Sequence, residues 1–154
     1  MGRFMDKYLG TRYPEEGVTP RHIQEVRAAL LALNGTDVPF VLRHGVGKEG
    51  DLVAECRVPG LRVRLWTRMR LDAAKREVRA LDEQWEGSFA EHTRGQRSSG
   101  PANAVYWVYE KQKGSDGRER RVQTVRFETS QIKNPLRQTV LDAGWTWRGV
   151  LFRL

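Results

Sequence analysis

Apolar and polar residues alternate most regularly between Leu61 and Leu71. Leu61, Val63, Leu65, Met69 and Leu71 hold one set of positions, and Arg62, Arg64, Trp66, Arg68 and Arg70 hold the other. A period of two is that of a strand whose faces meet different surroundings. The pattern therefore predicts a strand with its apolar side on a core and four guanidinium groups and one indole facing water. Pro59-Gly60 turns the chain into it. Two patterns fit the next segment. Ala74, Val78, Leu81 and Trp85 would share one face of a helix stopped by Gly87. Alternatively, Ala73-Ala74-Lys75-Arg76 is a hairpin loop, and the return strand sets Leu71 against Val78, Met69 against Ala80 and Arg64 against Trp85. The hairpin is preferred because it extends the apolar face and brings Arg64 within cation–π reach of Trp85. It also sets Arg70 against Arg79, a repulsion that the diagonals Arg70–Glu77 and Asp72–Arg79 would offset.

Helical spacing appears in Ile23, Val26, Leu30 and Leu33, with Thr19 as N-cap, Pro20 at the first helical position and Asn34-Gly35 as the stop. Phe4, Met5, Tyr8 and Leu9 suit one short helical turn ahead of it. Val38–Arg43 reads as a strand near an edge or a strand start, given Pro39, and Asp51–Val58 as a second strand. Val105–Tyr109 and Val122–Phe127 form a further hairpin around Gly114–Gly117, and the polar segment Ser88–Asn103 is expected to be a mobile loop. Asn134-Pro135 should open a short helix burying Leu136, Val140 and Leu141 and ended by Gly144. Trp145–Leu154 reads as a last strand, with a bulge at Gly149 bringing Val150, Phe152 and Leu154 onto the face of Trp145 and Trp147. The expectation is a single α+β domain over residues 1–154. It has a mainly antiparallel sheet of hairpins, about six to seven strands. An N-terminal helix and a short C-terminal helix pack on it, and the last strand lies at the C-terminus.

With 39% hydrophobic and 9% aromatic residues, the composition is that of a globular chain rather than a disordered one. The longest apolar run, Ala28–Leu33, is too short to span a bilayer, and Arg3, Asp6 and Lys7 interrupt any signal core. Asp6 also stands where a myristoylation motif wants Ser or Thr. Cys56 is alone, which excludes an internal disulfide, so a cytoplasmic protein without membrane association is expected. The net charge of +8 is uneven: residues 57–79 hold eight Lys or Arg against two acids, 80–92 hold four acids and no base, and 93–154 hold twelve bases against five acids. Such patches attract polyanions, because neutralised phosphates release counterions. A plainer source is codon usage in a GC-rich genome, since 21 of the 27 basic residues are Arg.

Three stretches carry a resemblance: Leu71-Asp72-Ala73-Ala74-Lys75-Arg76-Glu77-Val78-Arg79-Ala80, Gly144-Trp145-Thr146-Trp147-Arg148-Gly149-Val150, and Val38-Pro39-Phe40-Val41. Together they resemble a group of small uncharacterised actinobacterial proteins with no assigned function. The resemblance implies a cytoplasmic bacterial protein and assigns no functional residue. The Lys113–Arg121 tip is not matched in it.

Catalytic chemistry finds little support. Gly45-Val46-Gly47-Lys48-Glu49-Gly50 matches GxGxxG, yet a strand follows it where a dinucleotide fold needs a helix, so the glycines read as a hairpin connection. His22, His44 and His92 lack metal-ligand spacing, Cys56 alternates with Ala54 and Val58 as a core residue would, and Asp82-Glu83 should point to opposite sides of a strand. No catalytic residue, metal ligand or cofactor emerges. What remains is basic and aromatic: Arg62, Arg64, Trp66, Arg68 and Arg70, joined by Arg79 and Trp85, with a second basic tip at Arg118, Arg120 and Arg121 beside Lys111 and Lys113. Such a face suits a non-enzymatic binding module for an anionic partner, nucleic acid or an acidic protein. The competing readings are a solvated face whose arginines pair with Glu77, Glu83 and Glu86, a face covered by a helix, a small-molecule-binding or enzymatic domain with a pocket lined by Trp107, Trp145 or Trp147, and a structural subunit of a larger assembly.

Overall fold

The computed structural model describes residues 2–58, 62–86, 96–99 and 105–154. Its elements in chain order are α1 (Gly2–Leu9), α2 (Ile23–Leu31), β1 (Val41–His44), β2 (Leu52–Arg57), β3 (Val63–Asp72), β4 (Glu77–Glu86), β5 (Gln96–Ser99), β6 (Val105–Lys113), β7 (Glu119–Glu128), α3 (Ser130–Asp142) and β8 (Thr146–Val150). The described residues form a six-stranded sheet in the order β1-β2-β3-β4, with the far side of β4 shared between β5 and β8. All its pairings are antiparallel except β4 with β8. Strands β6 and β7 form a separate two-stranded sheet. The class is α+β with a mainly antiparallel sheet, as expected, and the described strands number eight rather than six or seven.

The β3–β4 hairpin has the register read from the pattern. Leu71 faces Val78, Met69 faces Ala80, Arg70 faces Arg79, and residues 73–76 make the turn. Burial along β3 alternates strictly, with Val63, Leu65, Thr67, Met69 and Leu71 buried. These side chains join Leu52, Ala54 and Cys56 of β2 under α2 (Val26, Leu30) and α3 (Ile132, Leu136, Val140), with Trp145 and Trp147 almost fully buried. Thr67 is the polar member of this face. It donates to Asp82 Oδ1 at 2.8 Å, and Asp82 in turn meets Lys133 of α3 at 2.8 Å, which ties helix to sheet. At the β1 edge, Leu42 N donates to Asn34 Oδ1 and Leu42 O accepts from Asn34 Nδ2.

Four expectations need correction. Helix α2 starts at Ile23, capped by His22 rather than Thr19. The His22 Nδ1 accepts from Gln24 N, and Glu25 accepts from His22 N. Thr19 and Pro20 instead run along the end of α3, against Gly144. Helix α3 begins a turn before Asn134, because Ile132, Leu136 and Val140 make one buried stripe that outweighs the hydrogen bond lost at the internal Pro135. The last strand stops at Val150 without a bulge, and Phe152 is 77% exposed. Of the predicted loop Ser88–Asn103, residues 96–99 are β5, paired along β4, and the rest lies outside the described residues.

Beyond Val150 the chain leaves the edge of the sheet, and Leu154 Cδ1 lies 2.8 Å from where a Cβ on Gly50 would sit. Gly50 adjoins β2 and β3, next to the Asp51 N to Met69 O hydrogen bond, so the end of the chain reaches from β8 back to these two strands. Leu81 and Val53, both on the face opposite the helices by register, are 5% and 0% exposed.

Candidate functional site

The registers order the outer face into rows across the strands, successive rows lying about 6.7 Å apart by the pleat repeat. One row is Arg57, Arg64, Trp85 and Arg97 on β2, β3, β4 and β5. The next is Glu55, Trp66, Glu83 and Ser99. A third holds Val53, Arg68, Leu81 and Val150, and a fourth Arg70, Arg79 and Arg148. The buried Val53 and Leu81 of the third row therefore separate two basic ends of one face.

At the first end, Arg57 and Arg62 are exposed, and Arg64, Trp66 and Trp85 are half-buried. The Arg64 guanidinium sits 5.6 Å above the Trp66 ring centre, within cation–π range, so its partner is its neighbour on β3 rather than the expected Trp85. Trp66 Nε1 donates to Glu55 Oε1 at 2.9 Å, which fixes the indole edge while its face carries Arg64. Two depressions, of about 370 and 320 Å³, flank this pair. Trp85, Arg57, Arg62 and Arg64 line the first, and Trp66, Arg57, Arg64 and Glu55 line the second.

Other predicted site residues divide differently. Arg68 is spent internally, bonded to Glu83 at 2.6 Å with its side chain 24% exposed. Glu83 thus answers one arginine of the face as the competing reading required, whereas Glu77 turns to Arg148 at 2.7 Å and Asp72 caps the turn at Lys75 N. The diagonals expected to offset Arg70 and Arg79 are therefore not formed. The Glu86 side chain is outside the described residues. Arg118, Arg120 and Arg121 are exposed at the tip of the β6–β7 hairpin, where Arg120 meets Asp116 at 3.3 Å. Phe127, near the base of that hairpin, enters the core. Seven residues of strand, about 23 Å, part it from Arg120. The tip is thus a separate basic feature.

Trp145 and Trp147 are 1% exposed, and Trp145 Nε1 donates to Arg21 O; the Trp107 side chain lies outside the described residues. Burial pushes the Cys56 thiol up to about 11, which suits a core residue rather than a nucleophile. His22 serves as a helix cap. Among the described residues, no three or more His, Cys, Asp or Glu side chains are grouped to hold a metal ion, and no helix is long and apolar enough to cross a membrane.

Arg57 is the residue that sequence reasoning passed over. The signal was present: a turn at Pro59-Gly60 between Val58 and Val63 pairs 57 with 64. No protein-family model, curated protein or solved structure matches the chain.

Proposed function

We propose that this protein is a binding module for single-stranded nucleic acid, and that the strand lies along the row Arg57, Arg64 and Trp85 with Arg62 and Trp66 beside it. The observation that carries the reading is the register itself, which sets Arg57 and Arg64 side by side and an indole next in line, at the end of the sheet where Arg57 and Arg62 are exposed. Guanidinium groups pair bidentately with phosphate and also stack on bases. Indole faces accept any base, so recognition of this kind tolerates sequence. Trp66 is braced by Glu55, which leaves Trp85, bordered by Arg64 and the depression beside Arg62, as the platform for a base. This reading keeps the protein in the cytoplasm with its polyanionic partner.

Three phosphate contacts, from Arg57, Arg62 and Arg64, give a slope near −2 in log affinity against log salt for a single strand. Affinity should then fall roughly 20-fold between 50 and 200 mM salt. Fluorescence anisotropy with a labelled oligothymidylate measures the slope, and tryptophan quenching reports stacking. The double variant Arg57→Gln with Arg64→Gln should abolish binding at 200 mM salt. Binding that ignores salt, or that survives this variant, would remove the reading. Salt-dependent binding to polyglutamate without tryptophan quenching would point to an acidic protein partner instead.

A further inference from the structure

The structure assigns a second anion site to the other end of the outer face, and we propose that Arg70 and Arg79 hold a single phosphoryl group there. In the register Arg70 faces Arg79, and Arg79 stands beside Arg148 on the parallel strand. Like charges directly opposite on a sheet repel, so three such residues in one row need carboxylates or an external anion. The nearby carboxylates are committed elsewhere. Glu77 binds Arg148, which Asp6 also approaches at 3.6 Å, Asp72 caps the turn at Lys75 N, Asp51 accepts from Leu71 N, and Glu83 binds Arg68. Two guanidinium groups are left over.

Arg79 Nε is buried with no hydrogen-bond partner, while Arg70, directly across, is exposed. A buried donor without an acceptor is rare in a folded protein and marks a place where an ion or water belongs. The Nε–H and one Nη–H of a guanidinium form a fork that fits two oxygens of a tetrahedral oxyanion, and Arg70 can supply a third donor from the facing strand. A carboxylate has only two oxygens to offer these donors, so a phosphoryl group suits them better. The buried Leu81 and Val53 of the neighbouring row lower the local dielectric beside the site, which strengthens a charge-assisted bond. The site is independent of the oligonucleotide row, from which three rows, or about 20 Å, separate it.

Millimolar inorganic phosphate, added at constant ionic strength against chloride, should raise the melting temperature of the full chain and of the Arg57→Gln with Arg64→Gln variant. Arg79→Gln should weaken the apparent phosphate affinity about a hundredfold, the loss of a bidentate pair of charge-assisted bonds. Arg70→Gln, at an exposed position, should weaken it too without threatening the fold. A phosphate effect absent from the wild type, retained in both the Arg79 and Arg70 variants, or lost in the Arg57/Arg64 variant overturns the site. A 5′-phosphorylated oligonucleotide binding more tightly than its 5′-hydroxyl twin, with the gain lost in Arg79→Gln, identifies the phosphoryl group as a strand end. No gain, with the inorganic phosphate effect intact, identifies a small phosphate ligand. Failure of the oligonucleotide row would leave the phosphate result standing, and the reverse also holds.

Discussion

Gly149→Ala should detach α1 from the sheet. A Cβ on Gly149 would lie 1.8 Å from Leu9 O and 2.7 Å from Leu9 C, and real Cβ contacts essentially never fall below 3.0 Å. The clash is with backbone, so no rotamer change relieves it. The chain after α1 must retreat by at least about 1.2 Å, and two links stand in the way. Thr11 Oγ1 accepts from the buried Gly149 N at 3.0 Å, and Arg12 exchanges two backbone hydrogen bonds with Trp147, at 2.8 and 2.9 Å. Overpacking of this kind costs about 1–3 kcal/mol, and an orphaned buried N–H costs a similar amount. A loss of about 3 kcal/mol follows, or roughly 6–12 °C in melting temperature for a chain of this size. Urea denaturation followed by tryptophan fluorescence measures it. Thr11→Val alone should cost about 1–2 kcal/mol by orphaning Gly149 N. In the double variant the two losses should not add: once the new methyl group on β8 has displaced Thr11, little remains for valine to remove. A near-neutral Gly149→Ala, or losses that add within about 0.5 kcal/mol, would refute the proposed docking of α1.

Two further outcomes follow from ion pairs. Lys133→Met leaves Asp82 half-buried with Thr67 as its remaining partner, and should cost about 2–3 kcal/mol in urea denaturation. Adding Asp82→Leu should recover part of that loss, and a double variant worse than the single would contradict it. Arg43, hydrogen-bonded to Glu49 at 2.6 Å, holds the Glu49 carboxyl well below its usual 4.5, at about 2. Because the folded pKa is the lower one, the pair's contribution is present at neutral pH and is lost as pH falls from about 4.5 towards 2. Solvent reaches both partners, so the contribution is about 1 kcal/mol, and Glu49→Gln should flatten the acid side of the stability profile by that amount.

Much of the outer face was legible in the sequence, and the reason is local. Strict alternation in β3 and a four-residue turn leave one register for β4, which sets Arg70 against Arg79 and Arg64 against Trp85. The same logic at Pro59-Gly60 would have yielded Arg57, which closes a mostly apolar strand and so draws little notice beside the four arginines of β3. The helix starts differ from their local signals because Thr19-Pro20 and Asn134-Pro135 mark starts by sequence alone, whereas tertiary packing sets them at Ile23 and Ser130. The parallel pairing of β8 and the path of residues 151–154 depend on contacts some seventy to a hundred residues apart in sequence, for which a single chain carries no periodic trace. The loss of Arg68 to Glu83 and the orphaned Nε of Arg79 depend on side-chain rotamers, which alternation does not encode.

Asn34 has a consequence for how these molecules behave together. Its amide offers Leu42 one donor and one acceptor, the pair that a neighbouring strand would present, and His44 O is met by Arg43. The rim of the sheet is thereby closed at Leu42 by a side chain no longer than two carbons, and a second molecule approaching there finds that position of the ladder already answered. A single Asn34→Ala change would open Leu42 to pairing with the strand of a second molecule and should raise the tendency to associate.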